Sequence, residues 1–207
     1  MRQGGNNQRR RLAYQRWSPV LQAGVVALRV CPRFLCNALL SLVRHLPTTV
    51  GMALRYMLVA RLCHKCGSCV AIFEGVYLHN LSQITLGDNV SIHPMCYIEG
   101  AGGLEIGCDV SIAHGVSILT TEHDFAQPGI ATRDAPIRFG SVVVESDVWL
   151  GCGVRVLAGA TIQRGAVVGA GAVVKQSVPA HSVAVGVPAR VVRSSTKPSP
   201  ACTHRAA

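Results

Sequence analysis

His123 stands between two carboxylates, Glu122 and Asp124, near the start of the segment TTEHDFAQPGIATRDAPIRFGS from Thr120 to Ser141. A neutral imidazole is the usual base for taking the proton from an attacking hydroxyl, because its pKa lies near working pH. The segment around it holds Pro128, Gly129 and Pro136, charges of both signs and no periodicity. Long loops inside otherwise compact architecture tend to carry function, so His123 reads as a general base more readily than as an idle surface residue. His93, His114 and His181 compete with it more weakly. Cys63, Cys66 and Cys69 form CHKCGSC, but no second cluster closes a tetrahedral metal site, and no metal is expected.

The elements that must hold His123 follow from the residues on either side of the loop. Downstream, Val144, Leu150, Val156, Ile162, Val168 and Val174 place an aliphatic at every sixth position. Val148, Val154, Ala160, Ala166, Ala172 and Val178 follow each of them by four. Upstream, the same beat runs through Leu86, Ile92 and Ile98, then Ile106, Ile112 and Ile118. A period of six suits neither a helix nor a two-sided strand. It suits a chain that turns a corner every six residues with one aliphatic pointing inward per side, which is a β-helix. EGAGG (Glu99 to Gly103) reads as a turn protruding from one corner. The 120–141 stretch then interrupts a tight solenoid.

The formal charge of +10 has a definite location. Eleven Lys and Arg residues and no Asp or Glu precede Cys69, whereas nine basic and ten acidic residues follow. The excess belongs to the N-terminal segment, and with so few aromatics a nucleic-acid platform is not expected. An anionic lipid surface is the better partner for it. Residues 1–17 are polar and Arg-rich and read as disordered. Leu35, Leu39, Leu42, Val43 and Leu46 form one face of a helix ending at Pro47, and Val50, Leu54, Met57, Leu58 and Leu62 repeat the pattern. Arginines interrupt every apolar run before it could span a bilayer. These helices either cap the first coil of the solenoid or lie on a membrane surface. Nine cysteines without the spacing of a secreted framework point to a reducing compartment, with several thiols buried as small apolar groups.

IGCDVSIAHGVSIL (Ile106–Leu119), TEHDF (Thr121–Phe125), DVWLG (Asp147–Gly151), VVGAGAVV (Val167–Val174) and GVPARVV (Gly186–Val192) together resemble the hexapeptide-repeat acyltransferases. The likeness is to the branch of maltose, galactoside and polysaccharide O-acetyltransferases, and it covers roughly residues 70–193. It implies a mainly β fold, a left-handed parallel β-helix with an N-terminal helical extension. The organisation expected is a basic segment with amphipathic helices over 1–69, the repeat domain over 70–193 and a disordered tail over 194–207. It also implies direct transfer of an acetyl group from acetyl-CoA to a sugar hydroxyl in surface polysaccharide or glycolipid assembly. His123 takes the position of the catalytic base, and the rung of Cys152 supplies a backbone donor to the oxyanion.

The resemblance places Trp149 outward in the groove between subunits, and Ala170 on the pantetheine path, where small side chains are needed. Lys175, Gln176, Arg190 and Arg193 lie at the phosphate end; relatives often carry Thr-Lys where this chain has Lys175-Gln176. His93 occupies a position that often holds an acceptor-facing Asn, and with Asp124 it is assigned to substrate binding. The partners implied are a saccharide acceptor and two further copies in a homotrimer, with no nucleic acid. The cytoplasm is the expected location, with the inner membrane face as the surface the basic segment would meet. Two alternatives stand beside this reading, an N-acyltransferase on an amino sugar and a non-catalytic β-helix scaffold. Zinc-dependent hydration of carbon dioxide, found elsewhere on this fold, is disfavoured because His114 and His123 are nine residues apart.

Overall fold

The aliphatic beat is inward-facing throughout. In the computed structural model of the chain, which describes residues 4–126 and 128–194, all twelve of the hexad aliphatics are 2% exposed or less. The residues four places after each downstream aliphatic, from Val148 to Val178, are buried as well. Burying each Val, Leu or Ile among them stabilises the fold by roughly 1.5–3 kcal/mol.

Short strands build three parallel faces of a solenoid. The first face stacks Lys65–Cys66, Ile84–Leu86, Leu104–Ile106, Val142–Val144 and Thr161–Ile162. The second stacks Ala71–Ile72, Ser91–Ile92, Ser111–Ile112, Trp149–Leu150, Val167–Val168 and Ser182–Val185. The third stacks Tyr77–His79, Tyr97–Glu99, Ser117–Ile118, Arg155–Val156 and Val173–Val174. In-register pairing sets Ile72, Ile92, Ile112, Leu150, Val168 and Ala184 in one inward column. The chain closes with Arg190–Ser194 folded back antiparallel on Ser182–Val185. Ser194 thus belongs to a strand, and the rest of the expected tail lies outside the described residues. Lys65–Cys66 already pairs with Thr85–Leu86, so the CHKCGSC segment enters the first coil. Its Cys66 takes an inward position level with Leu86, where burial pushes the thiol up to about 12.

Three helices precede the solenoid: α1 (Gly4–Ala27), α2 (Arg33–Val43) and α3 (Thr48–Leu62). Helix α1 covers most of the stretch expected to be disordered. Its tyrosine Tyr14 meets Tyr56 of α3 edge to face, with the hydroxyls 2.9 Å apart. Helix α3 caps the first coil, contributing Leu58, Val59 and Leu62 to the same core as Val70 and Ile72.

The helical faces differ from the expected ones. On α2 the buried residues are Cys36 and Leu40, while Leu35, Leu42 and the following Leu46 are exposed. On α3, Val50 is exposed and Arg55 is 1% exposed. The reason is the end of α2. The last carbonyls of a helix have no intrahelical donor, and Arg55 supplies one. Its Nη1 donates to the carbonyls of Val43 (2.9 Å) and Leu46 (2.8 Å), and its Nε to the carbonyl of Ile72 in the first coil (2.9 Å). One guanidinium therefore ties α2, α3 and the solenoid together. Burial lowers its pKa from the usual value, and Glu74 opposes that shift. Arg55→Ala leaves these carbonyls, that of buried Ile72 among them, without their donor and should lower the unfolding free energy by about 3 kcal/mol, read as a shift in the urea midpoint. Arg55→Lys should recover only part of it, because a single ammonium does not reproduce the planar fork.

Candidate active site

The two ends of the aperiodic segment pair as a hairpin. It leaves the third face after Ser117–Ile118 and re-enters the first face at Val142. Thr121–His123 pairs antiparallel with Ile137–Phe139, setting Thr121 against Phe139, Glu122 against Arg138 and His123 against Ile137. Its feet are fastened to the coil below. The Glu99 carboxylate accepts the Thr120 N–H (3.1 Å) and the Thr121 hydroxyl (2.9 and 3.0 Å). Thr120, fully buried, accepts the Gly102 N–H at Oγ1 (2.9 Å) and the Gly140 N–H at its carbonyl (2.9 Å). Glu99 and Thr120 escaped the sequence reading. Aligning the coils would have exposed them, because Glu99 ends the strand on which Ser117–Ile118 stacks.

His123 is exposed at the end of its strand, and its Nδ1 lies 3.3 Å from the Ala135 carbonyl across the hairpin. A carbonyl only accepts, so Nδ1 must carry the proton in this contact. That fixes the tautomer of the neutral ring and leaves the Nε2 lone pair free to accept one. Asp124 is buried; its N–H donates to the Pro136 carbonyl (2.9 Å), and its carboxylate accepts from Arg138 Nη2 (2.7 Å). The aspartate assigned to substrate binding is thus engaged in holding the hairpin closed. Phe125, Ile137 and Phe139 point apolar side chains outward on the same hairpin.

Of the residues expected along a cofactor path, Trp149, Cys152 and Ala170 lie on the second face and at its junction with the third, whereas Lys175 and Gln176 follow the third-face strand Val173–Val174. Trp149 is 53% exposed beside fully buried Leu150, so its indole is outward as expected. Cys152 and Ala170 sit one above the other at the corner, joined through the bond from the Gly171 N–H to the Cys152 carbonyl (2.8 Å). The N–H groups of Cys152 and Ala170 donate to no group among the described residues. Gly151 and Gly169 precede them where coils touch; a Cβ on Gly151 would come within 2.7 Å of the Ala170 nitrogen. His93 lies lower on the second face, its ring stacked on Phe73 at 4.7 Å. Lys175, Gln176, Arg190 and Arg193 are exposed at the last coils. One chain therefore holds the His123 hairpin at one corner and the Cys152–Ala170 edge at another. No group of three or more metal-ligating side chains occurs among the described residues.

Residues 141–176 match the family model described as bacterial transferase hexapeptide (six repeats). Over 117 residues the chain is 34% identical to a protein of Escherichia coli strain K12 named as a lipopolysaccharide biosynthesis O-acetyl transferase, WbbJ; the match covers 53% of this chain and 60% of that one. The chain spans about half the length of the named relatives it matches. Its fold is similar to the crystal structure of a maltose O-acetyltransferase from Clostridium difficile 630, with TM-score 0.69 and 26% identity over 82% of this chain and 89% of that one. It is also similar to a hexapeptide-repeat acetyltransferase from Vibrio cholerae, with TM-score 0.68 and 25% identity over 84% and 93%. The chain carries the transferase hexapeptide repeat and is similar in sequence and fold to acetyltransferases built on it.

Removing the carboxylate that anchors the hairpin tests its role directly. Glu99→Ala should raise hydrogen–deuterium exchange across residues 120–125 while the coils on either side stay protected. The local opening energy should fall by about 1–3 kcal/mol, the value of a lost charge-assisted pair of bonds.

Proposed function

We propose that this chain transfers an acetyl group from acetyl-CoA to a sugar hydroxyl in the assembly of a surface polysaccharide or glycolipid. The observation that carries the reading is the Nδ1 contact of His123 with the Ala135 carbonyl, which leaves Nε2 as the proton acceptor. His123 takes the hydroxyl proton as that oxygen attacks the thioester carbonyl. The Cys152 N–H, without a partner among the described residues, holds the oxyanion that forms. Collapse breaks the carbon–sulfur bond, and the proton on His123 passes to the departing thiolate. The thioester is already activated, so no acyl-enzyme is required.

The N–H of Ala170 supports the pantetheine arm, and Trp149 lines the same groove. Lys175, Gln176, Arg190 and Arg193 serve the phosphates, and His93 the acceptor. The O-acetyl transferase name of the E. coli relative supports both the acetyl group and the oxygen acceptor. The His123 hairpin and the Cys152–Ala170 edge lie at different corners, and the hairpin presents Phe125 (78% exposed) and Phe139 (67%) to solvent. A homotrimer in which each hairpin meets the Cys152–Ala170 edge of a neighbour covers both. No helix among the described residues is long and apolar enough to cross a membrane. We place the activity in the cytoplasm, where the donor is made, with the basic segment 1–69 in peripheral contact with the inner membrane face.

Release of the CoA thiol, followed with a panel of saccharide acceptors, tests the reaction. His123→Ala should lower kcat by roughly 10²–10⁴-fold, the usual contribution of a positioned base, while acetyl-CoA binding measured by calorimetry stays near wild type. Full turnover in that variant, or failure of the wild type to bind acetyl-CoA, would overturn the proposal.

A further inference from the structure

Helix α2 has two apolar faces, and the fold uses only one. Cys36 and Leu40 turn inward against α3, with Leu39 and Val43 half-buried beside them. On the opposite side Phe34 is 76% exposed, Leu35 43% and Leu42 78%. With Ala38 these residues span about 100° of the helix at 100° per residue. Val30, 90% exposed, precedes this stripe in the chain, and Leu46 and Val50 follow it. Large apolar side chains collected on one helix face are not the scattered singles that a soluble surface tolerates.

The charge of the segment that carries this face selects its occupant. Residues 1–68 contain eleven Lys and Arg and no Asp or Glu; Arg16 and Arg29 are exposed on the helical segment, while Arg33 turns to the other side of α2 and donates to the Leu62 carbonyl. An isologous contact would bring two such surfaces together with no acidic group in the segment to offset the repulsion. An anionic bilayer instead offers apolar depth for Phe34 and Leu42 and negative headgroups for the arginines. We infer that the outward face of α2 is a membrane-docking surface, on which Phe34, Leu35 and Leu42 enter the headgroup–acyl boundary of an anionic leaflet. The inference gives a surface to the peripheral contact proposed above. It does not depend on the acetyl-transfer chemistry, because its readout is lipid binding and not turnover.

Flotation of the full chain tests it, with vesicles of phosphatidylcholine containing phosphatidylglycerol and with phosphatidylcholine alone. Wild type should float with the anionic vesicles, less with the neutral ones, and less in high salt as the headgroup charge is screened. The double variant Phe34→Asp, Leu42→Asp changes only outward side chains and should keep the wild-type melting temperature, yet lose about tenfold or more of the bound fraction. Arg16→Glu with Arg29→Glu should weaken binding to anionic vesicles only. Wild type that stays with the soluble fraction, or a double variant that floats like wild type, would overturn the inference. So would a lipid-free mass, measured by light scattering, that falls in the double variant, because the face would then join copies of the chain.

Discussion

Every coil of this solenoid must present its backbone N–H groups to carbonyls on the coil beside it, and that requirement governs where the chain may vary. Stacked strands two to four residues long tolerate no insertion within a face, since one added residue would turn the aliphatic column outward. Departures from the six-residue step therefore collect at a single corner, between the third and first faces. Leu78 to Leu86 and Ile98 to Ile106 take longer steps there, and the hairpin of residues 120–141 leaves from the same place. At the opposite corners the spacing holds, and positive-φ residues recur coil after coil: Gly75, Met95, Gly115, Gly153 and Gly171 at one of them. Met95 adopts this conformation without the freedom of glycine, held there by the coils on either side.

The same constraint explains how the hairpin that leaves the corner is positioned. A hairpin projecting from a corner has no core of its own, so its geometry depends on its feet. Glu99 and Thr120 fasten those feet with charge-assisted and backbone bonds, and the Arg138–Asp124 pair closes the hairpin farther out. The orientation of His123 is thus inherited from the solenoid through a short chain of hydrogen bonds. The Ala135 carbonyl completes it by choosing which ring nitrogen bears the proton.

At the other end, an open solenoid exposes both an apolar interior and unpaired strand groups, so it needs a cap. Helix α3 supplies the apolar lid, and Arg55 meets the carbonyls that α2 and the first coil leave without donors. With its inner face committed to α3, α2 is left holding an apolar stripe for which the fold has no further use.

The residues alone determined the solenoid. A period of six with an inward aliphatic is a local rule, and it survives folding because each coil contacts only its neighbours. The same periodicity marked the 120–141 interruption that holds His123, whereas the places given to Trp149, Cys152 and Ala170 came from the family resemblance of the motifs and not from the spacing. Only the tertiary structure decided what long-range contacts decide. It chose which side of α2 is buried, because a helix with two apolar faces does not announce which one its partner will cover. It made Arg55 a buried clasp, because the carbonyls that need it lie nine to seventeen residues away. It placed Glu99 under the hairpin and turned Asp124 toward Arg138, since ion pairs and side-chain bonds across coils leave no trace in local spacing. It also separated the His123 hairpin from the Cys152–Ala170 edge, because a corner of a prism is a position in space that no run of neighbouring residues encodes.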